Sequence, residues 1–326
     1  MICSPHIMSV QHAKRQIPFL ALMAAAIAAG ASGCAAQPGP SRSEIVIDGP
    51  RSFPENITST KDGTIITGSV GSGGIFRAVP GAAVATQWIA AGDNGLLDTF
   101  GVLADEASNI LWVCSSRLDP AAPGQVTAKP AVFRYDLKTG AFRSKHPLPG
   151  GSGLCNDIAI GPDKAAYVAD TAGGRILRLA ADSQELTEWS RSNDLEGADG
   201  LAFQDRLLFV NSFTSGKLMR IELKADGSAG KPVVLKTSRP LTRPDGMRRL
   251  NATQLVLAEG GGTIDLLTIK GDTVAVQTLR SGLVGPAGVT IVENTLWALE
   301  SKLSLRDKPE SDPAPFKAYA ITLPSP

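Results

Sequence analysis

A segment of about 45 residues recurs along this chain, and each copy carries the pattern of four short strands. In one copy the runs "DIAIG", "AAYVAD", "GGRILRLA" and "ELTEWS" follow one another, and the first alternates apolar with polar residues as a half-buried strand does. The intervening "PDK" has the Pro-Asp chemistry of a tight turn. A single small sheet cannot bury both of its faces, so successive copies must cover one another. The repeat therefore predicts one closed β architecture.

Six copies can be counted from the residue that opens the first strand of each. The intervals between these opening positions are 45, 56, 43, 46 and 42 residues, and the long interval contains the insertion "DPAAPGQVTAK". No amphipathic helix is evident beyond the N-terminal segment, and the Trp-Asp and Gly-His signatures of WD40 repeats are absent. The sequence predicts an all-β fold, a six-bladed β-propeller of four-stranded antiparallel blades. The opening positions are Glu55, Phe100, Asn156, Asp199, Asp245 and Ala287.

The apolar residues within the strands are expected to form the core between neighbouring blades, because every blade has two faces to cover. Packing alone accounts for them, without a role in ligand binding. Representative positions are Ile110, Trp112, Tyr167, Leu208 and Leu296.

The first 33 residues have the features of an export signal. Lys14 and Arg15 precede the apolar run "IPFLALMAAAIAAGA", which is short and Ala-rich for a membrane span. The ending "ASGC" resembles a bacterial lipobox and implies a lipid on Cys34; plain periplasmic export and an uncleaved anchor are the alternatives. We therefore expect an exported protein, periplasmic or held at a membrane by this lipid. Its expected parts are a signal peptide (1–33), a flexible tether (34–44) and the propeller (45–326).

The charge balance argues against one class of partner. The chain has 32 Lys and Arg and 31 Asp and Glu, and removing Lys14 and Arg15 with the signal peptide leaves 30 against 31, a net charge of −1. There is no basic block or stripe, so nucleic-acid binding is not expected. Membrane contact is expected only through the lipid anchor. Nothing in the sequence indicates an oligomer, and we expect a monomer.

Histidine and cysteine restrict the chemistry further. His6 and His12 fall in the signal peptide, which leaves His146 in "FRSKHPLPG", where we expect a solvated loop residue. A Ser-His-Asp triad, a Cys-His pair or a His-rich zinc site would need imidazole at the reaction centre, so carboxylates, amides and a hard metal ion remain. Cys114 and Cys155 are either a disulfide of an oxidising compartment or two half-buried apolar residues.

Polar side chains at four of the six opening positions indicate a shared site. The first strand of each blade lines the central channel of a propeller, so equivalent positions converge on its axis. Three carboxylates and one amide would then aim oxygens at one point, and they repel one another unless a cation lies there. Oxygen ligands favour Ca²⁺, with Mg²⁺, Mn²⁺ or Zn²⁺ as the other candidates. Taken singly, each is also an ordinary turn residue. The four are Glu55, Asn156, Asp199 and Asp245.

The motifs around these residues resemble the SMP-30/gluconolactonase family, a superfamily of six-bladed propellers with paraoxonase-like and phosphotriester-hydrolysing members. The resemblance covers nearly the whole chain after the signal peptide, through "PEN", "CND", "ADG" and "PDGM" in that order. It implies that Glu55, Asp199 and Asp245 hold a divalent cation, at positions where the family has Glu, Asn and Asp. It also implies that Asn156 lies beside the metal or the substrate.

The sequence departs from the family pattern at several positions. Asp199 stands where Asn is usual, and its added charge would tighten cation binding or change the preferred cation. Glu55 is not followed by the usual small residue and Pro. Leu154 stands where sugar-lactone members often carry Arg, and Ala287 where paraoxonase-like members use His. The resemblance therefore predicts neither a sugar-lactone pocket nor a His-assisted mechanism.

The resemblance implies a metal-dependent hydrolase of a lactone or related ester. The cation would polarise the carbonyl and stabilise the oxyanion. Asp245 would act as the general base, with Asp199 as the alternative, and Asn156 would orient the substrate. Phe100 and Arg117 are the candidate substrate-binding residues at the channel mouth.

Two other functions stay open at this stage. One is a rigid propeller that binds a ligand or a protein around a structural metal, because a fold does not by itself imply an activity. The other is a metal-free propeller similar to strictosidine synthases.

Further residues are expected at the mouth of the channel, beside Phe100 and Arg117. They are Asp170, Asn211 and Glu259.

Overall fold

The structure, a computed structural model, describes residues 42–118 and 128–323. The expected signal peptide, the lipidation candidate Cys34 and most of the insertion at 119–129 lie outside the described residues. Within the described ranges, no helix combines the length and the apolar character needed to cross a membrane. The helical segments described there are four short 3₁₀ turns, at Asp93–Gly95, Pro149–Gly151, Asn193–Leu195 and Leu303–Leu305.

The described strands follow the predicted repeat, and we number the units one to six in chain order. Unit one contains β2 (Pro54–Ser59), β3 (Ile65–Ser69), β4 (Ile75–Ala78) and β5 (Val84–Ile89). Unit two contains β6 (Asp98–Asp105), β7 (Ile110–Ser116), β8 (Ala131–Asp136) and β9 (Phe142–Pro147). Unit three contains β10 (Cys155–Ile160), β11 (Ala166–Asp170), β12 (Arg175–Leu179) and β13 (Thr187–Arg191).

The second half of the chain repeats this order with one additional strand in unit five and three strands in unit six. Unit four contains β14 (Ala198–Gln204), β15 (Leu207–Ser212), β16 (Leu218–Glu222) and β17 (Val233–Val234). Unit five contains β19 (Pro244–Arg249), β20 (Gln254–Glu259), β21 (Thr263–Lys270) and β22 (Thr273–Arg280), and β18 (Lys236–Thr237) pairs parallel with β22. Unit six contains β23 (Pro286–Val292), β24 (Thr295–Glu300) and β25 (Phe316–Thr322).

Unit six takes its fourth strand from the other end of the described chain. The strand β1 (Glu44–Ile47) pairs antiparallel with β25, and it also makes a short parallel pairing with β5 of unit one. Units one and six therefore form one eight-stranded sheet, and the described residues form five sheets in all. The prediction of an all-β chain built from four-stranded antiparallel sheets is confirmed.

The first strands of the units pack against one another in a closed order. β2 contacts β6, β6 contacts β10, β10 contacts β14, β14 contacts β19, β19 contacts β23, and β23 contacts β2. The approach is close enough to require glycine. A Cβ atom on Gly200 would lie 2.2 Å from the backbone oxygen of Asp245, and one on Gly101 would lie 2.2 Å from that of Asn156. Glycine after an opening position therefore lets neighbouring first strands touch backbone to backbone.

Six apolar clusters fill the spaces between neighbouring units. Trp112 lies in the cluster between units two and three, Tyr167 and Leu208 in the next one, and Leu296 in that between units five and six. Ile110 packs partly buried against the first of these. The core expected from the alternating pattern is confirmed.

A disulfide joins units two and three beside the central channel. Cys114 in β7 and Cys155 at the start of β10 are bonded, with their Cα atoms 5.1 Å apart, and both are fully buried. The sequence left open whether these two cysteines form a disulfide or are unbonded apolar residues, and in the structure they form the disulfide. The bond fixes the strand that carries Asn156, which is the next residue in the chain.

Removing this bond is expected to destabilise the protein without changing its fold. The two cysteines are 41 residues apart, so the bridge restricts the unfolded chain by about 4 kcal/mol on the chain-entropy relation. The Cys114→Ala/Cys155→Ala variant should unfold at a lower urea concentration, with a somewhat larger m-value because its unfolded chain is less compact. An equal midpoint for this variant and the oxidised wild type would contradict the prediction.

Candidate metal centre

A break in the strand pairing marks the opening position of each first strand. The register between first and second strands shifts between Pro54 and Ile57 in unit one, and equivalent shifts occur in the other five units. Such bulges bend a strand and re-aim a side chain, and they are frequent beside active sites. They explain how a residue within a paired strand can present its side chain to the channel.

Four of the opening positions lie two residues after a residue in the left-handed region, and in two units that residue is not glycine. Phe53 has φ 40° and Arg243 has φ 52°, and each precedes the proline before an acidic opening residue. In unit four the equivalent residue is a glycine with φ 71°, Gly197. A left-handed Phe or Arg is unfavourable and persists only where the surrounding structure holds it. This repeated turn sets the direction in which Glu55 and Asp245 enter the channel.

Three of the four predicted ligands meet at one place. Carboxylate oxygens of Glu55, Asp199 and Asp245 all lie within 4.8 Å of one another. The three side chains come from units one, four and five and are only 3–5% exposed. Asn156 is equally buried, and its Nδ2 donates a hydrogen bond of 3.0 Å to Asp199 Oδ2. We call these four residues the acid cluster.

Several oxygens of the acid cluster have no hydrogen-bond partner. Glu55 Oε2, Asn156 Oδ1 and Asp199 Oδ1 are buried and unpaired, although a buried acceptor without a partner is costly. A hard cation would satisfy all three, because carboxylate and amide oxygens are its preferred ligands. The residues present therefore fit the divalent cation that the fold implies.

Burial and mutual repulsion raise the pKa values of the acid cluster. Burial is the largest cause for each carboxyl. The charge of Asp157 then helps to raise the pKa of Asp199 to about 8, and the charge of Asp199 raises the pKa of both Glu55 and Asp245 well above the usual value. Three carboxyls in this setting cannot all be ionised at neutral pH without a compensating positive charge.

A second polar layer, which was not predicted from the sequence, lies one residue further along the first strands. Asp157 and Asn56 take the place that glycine fills after four other opening positions, and Asn56 Nδ2 donates to Asp157 Oδ1 at 3.2 Å. Arg248 donates to both, at 2.9 Å to Asp157 Oδ2 and 2.9 Å to Asn56 Oδ1. The sequence does carry a signal for this layer: units one and three lack the glycine that follows the opening position in the other four units.

The candidate residues at the expected channel mouth lie in different environments. Phe100 is 3% exposed and packs in the apolar cluster between units two and three, whereas Arg117 is exposed just beyond the end of β7. Their substrate-binding roles stay predictions. Asp170 pairs with Arg175 at 2.7 Å and is fully buried, so it holds a loop in place.

Asn211 and Glu259 also have structural partners. Asn211 Nδ2 donates to the backbone oxygen of Asp245 at 2.6 Å, while its Oδ1 accepts from Gly200 N at 3.2 Å. Asn211 therefore fixes the backbone that carries two members of the acid cluster. Glu259 accepts a hydrogen bond from the backbone of Thr242 and thereby anchors the turn before β19.

The expectation for His146 was wrong. His146 lies in β9 and is 1% exposed, with Nδ1 2.8 Å from the backbone oxygen of Gln184 and Nε2 2.9 Å from Ser144 Oγ. The polar neighbours "RSK" suggested a loop, but they form an outer strand whose alternate residues point inward. Burial lowers the pKa of His146, which favours its neutral form.

No protein-family model matches the sequence, and neither does any curated protein. Solved structures do match. A luciferin-regenerating enzyme has 15% sequence identity and a TM-score of 0.62 over 84% of this chain and 92% of its own. A gluconolactonase from Xanthomonas campestris has 14% identity and a TM-score of 0.62 over 83% of this chain and 86% of its own.

The chain has the β-propeller fold of the gluconolactonases. A virginiamycin B lyase from Staphylococcus aureus also shares this propeller fold, with 18% identity and a TM-score of 0.56 over 86% of this chain and 98% of its own. The solved structures with this propeller fold thus include both a gluconolactonase and a lyase. Identities this low show the fold alone, so the activity has to be argued from the acid cluster.

The acidic residue in unit four gives a specific prediction. Asp199→Asn removes one of three carboxylates, and we expect Ca²⁺ affinity to fall about tenfold or more, since ligand charge is a main determinant of affinity. The cation-free protein should become more stable, because the substitution removes one of three mutually repelling carboxylates. Calorimetric titration and thermal melting in chelator measure both effects, with the exposed Asp205→Asn as the matched control. Unchanged affinity would show that Asp199 is not a ligand.

Proposed function

We propose that this protein is a six-bladed propeller that hydrolyses a lactone or related ester with a divalent cation held in its channel. The closed contact order of the six first strands supports the blade count, with units one and six as separate blades joined at one edge. The observation that carries the activity is the group of three buried carboxylates within 4.8 Å, with unpaired oxygens facing no protein donor.

Glu55, Asn156, Asp199 and Asp245 would hold the cation, and Ca²⁺ suits the all-oxygen donors best. When bound, the ion supplies a Lewis acid for an ester carbonyl and positive charge for the oxyanion that forms on attack. Its charge would also keep the carboxyls of the acid cluster ionised at neutral pH, against the repulsion and burial that raise their pKa values.

The chain's own residues would bind the substrate and move the proton. Asp245 is the proposed general base, which accepts the proton of the attacking water, and its Oδ1 is held by Gly246 N at 2.9 Å. Asn156 would orient the substrate through its amide. Asp199 is the alternative base. Phe100 and Arg117 remain the proposed substrate contacts, and Arg117, which is exposed, would meet an anionic group of the substrate.

We further propose that the protein is exported, with residues 1–33 as the signal peptide and Cys34 as the lipid acceptor. The disulfide between Cys114 and Cys155 supports this, because such bonds persist in oxidising compartments. A monomer that contacts the membrane only through its lipid is the proposed state.

Lactone hydrolysis before and after chelation tests the activity. Purified protein should hydrolyse at least one member of a panel of lactones and aryl esters, lose the activity in chelator and regain it when a cation is returned. Undetectable activity with Ca²⁺, Mg²⁺, Mn²⁺ and Zn²⁺ alike would overturn the hydrolase proposal. A protein that binds the cation tightly without turnover would instead be a binding scaffold with a structural metal.

A further inference from the structure

Arg248 reaches across the channel next to the acid cluster. It lies in β19, three residues after Asp245, and its side chain is 13% exposed. Its guanidinium contacts one residue in each of three other units: Asn56 in unit one, Val102 in unit two and Asp157 in unit three. A single side chain therefore connects four units at the axis.

Five oxygen atoms accept hydrogen bonds from the two Nη atoms of this guanidinium, whereas its buried Nε has no partner. Nη1 donates to Asp157 Oδ2 at 2.9 Å and to the backbone oxygen of Met247 at 2.8 Å. Nη2 donates to Asn56 Oδ1 at 2.9 Å, and to Asp157 Oδ1 and the Val102 backbone oxygen at 3.4 Å each. A carboxylate, an amide and two carbonyls are the donor set that proteins use for hard cations. We call these five oxygens the second cage.

The charge balance of the channel explains why a cation belongs in the second cage. Four buried carboxyls line the channel, because Asp157 adds to the three of the acid cluster. A buried carboxylate needs a positive partner, and the guanidinium gives Asp157 one through two oxygens. Arg248 thus supplies the positive charge that Asp157 needs in the second polar layer.

We propose that Arg248 is a built-in cation, which fills the second cage and so limits the channel to one divalent ion at the acid cluster. The prediction of one bound ion per chain rests on the proposed cation site in the acid cluster. The prediction that the second cage can hold a cation does not depend on that site.

The stoichiometry of cation binding tests this proposal. Wild-type protein, freed of metal and titrated with CaCl₂ or MnCl₂ in equilibrium dialysis, should bind one ion per chain. Arg248→Ala leaves the second cage without its cation, so in chelator its melting temperature should fall by about 10 °C. With Ca²⁺ the variant should regain most of this loss and bind two ions.

A double variant separates loss of the cage from loss of folding. Arg248→Met/Asp157→Asn removes the buried charge pair together, which proteins often tolerate, and it should bind one ion like the wild type. An Arg248→Ala protein that folds only in Ca²⁺ supports the proposal. Two ions on wild type, or an Arg248→Ala protein that gains neither a second ion nor stability from Ca²⁺, would overturn it. A wild type that binds no ion, with one ion on Arg248→Ala, would overturn the acid-cluster site and retain the second cage.

Discussion

Asp245→Asn should lower the rate of ester hydrolysis by about 10³-fold while the protein stays folded. Removing a general base costs 10²–10⁴-fold in typical enzymes, and an amide cannot accept the proton of the attacking water. The change also removes one of three mutually repelling carboxyls, so thermal stability without a cation should rise. The decisive measurement is kcat on the best substrate at saturating Ca²⁺, where weaker binding of the ion does not limit the rate.

Two comparisons show whether that loss is specific. Asp182→Asn, at an exposed turn after β12, makes the same chemical change outside the channel and should leave kcat within about twofold. A melting curve and a Ca²⁺ titration on Asp245→Asn establish that the fold and the ion are retained. Full turnover in a folded, metal-loaded Asp245→Asn protein would remove Asp245 from the mechanism and make Asp199 the next candidate.

Cation-free protein should lose stability as the pH rises from about 5 to about 8. In the unfolded chain the carboxyls of the acid cluster release their protons near pH 4, whereas in the folded protein Asp199 holds its proton to about pH 8. A folded pKa above the unfolded one gives stability that is complete at low pH and is lost as the pH passes through the folded value. Burial and the charge of Asp157 are the physical causes for Asp199.

Ca²⁺ should reverse this trend, because its binding requires ionised carboxylates. At an ion concentration about one hundred times the dissociation constant, the melting temperature at pH 8 should exceed that in chelator by about 5–10 °C. The difference between the two curves isolates the acid cluster, because two other buried groups contribute equally to both. They are Glu259, whose pKa burial raises to about 7, and His146, whose contribution has the opposite sign. Parallel curves with and without Ca²⁺ between pH 5 and pH 8 would contradict the account.

The repeat predicted most of the fold because each unit obeys the same local rules. Alternating strands and Pro-Asp or Asp-Gly turns fix a four-stranded sheet without long-range information. The closure of unit six was not predictable in this way. Its fourth strand, β1, comes from about 270 residues earlier along the chain, so only the folded arrangement shows the pairing of Ile47 with Phe316. The range assigned to the tether likewise ends one residue inside β1, at Glu44.

The candidate site was predictable to the extent that it repeats. Glu55, Asp199 and Asp245 occupy equivalent positions, and this equivalence, together with the family resemblance, predicted that their oxygens meet. Arg248 and Asp157 were not predicted, because their interaction joins units that are distant in sequence: a long side chain from unit five bonds an acid from unit three. Cross-channel pairs of this kind depend on side-chain reach, which strand periodicity does not encode.

A crystal structure of the protein grown in millimolar CaCl₂ would show directly whether the acid cluster binds a cation. We expect one ion among Glu55, Asn156, Asp199 and Asp245, with oxygen distances of about 2.3–2.6 Å and Arg248 in the second cage. Ordered side chains around water alone, at a Ca²⁺ concentration that saturates ordinary sites, would contradict it.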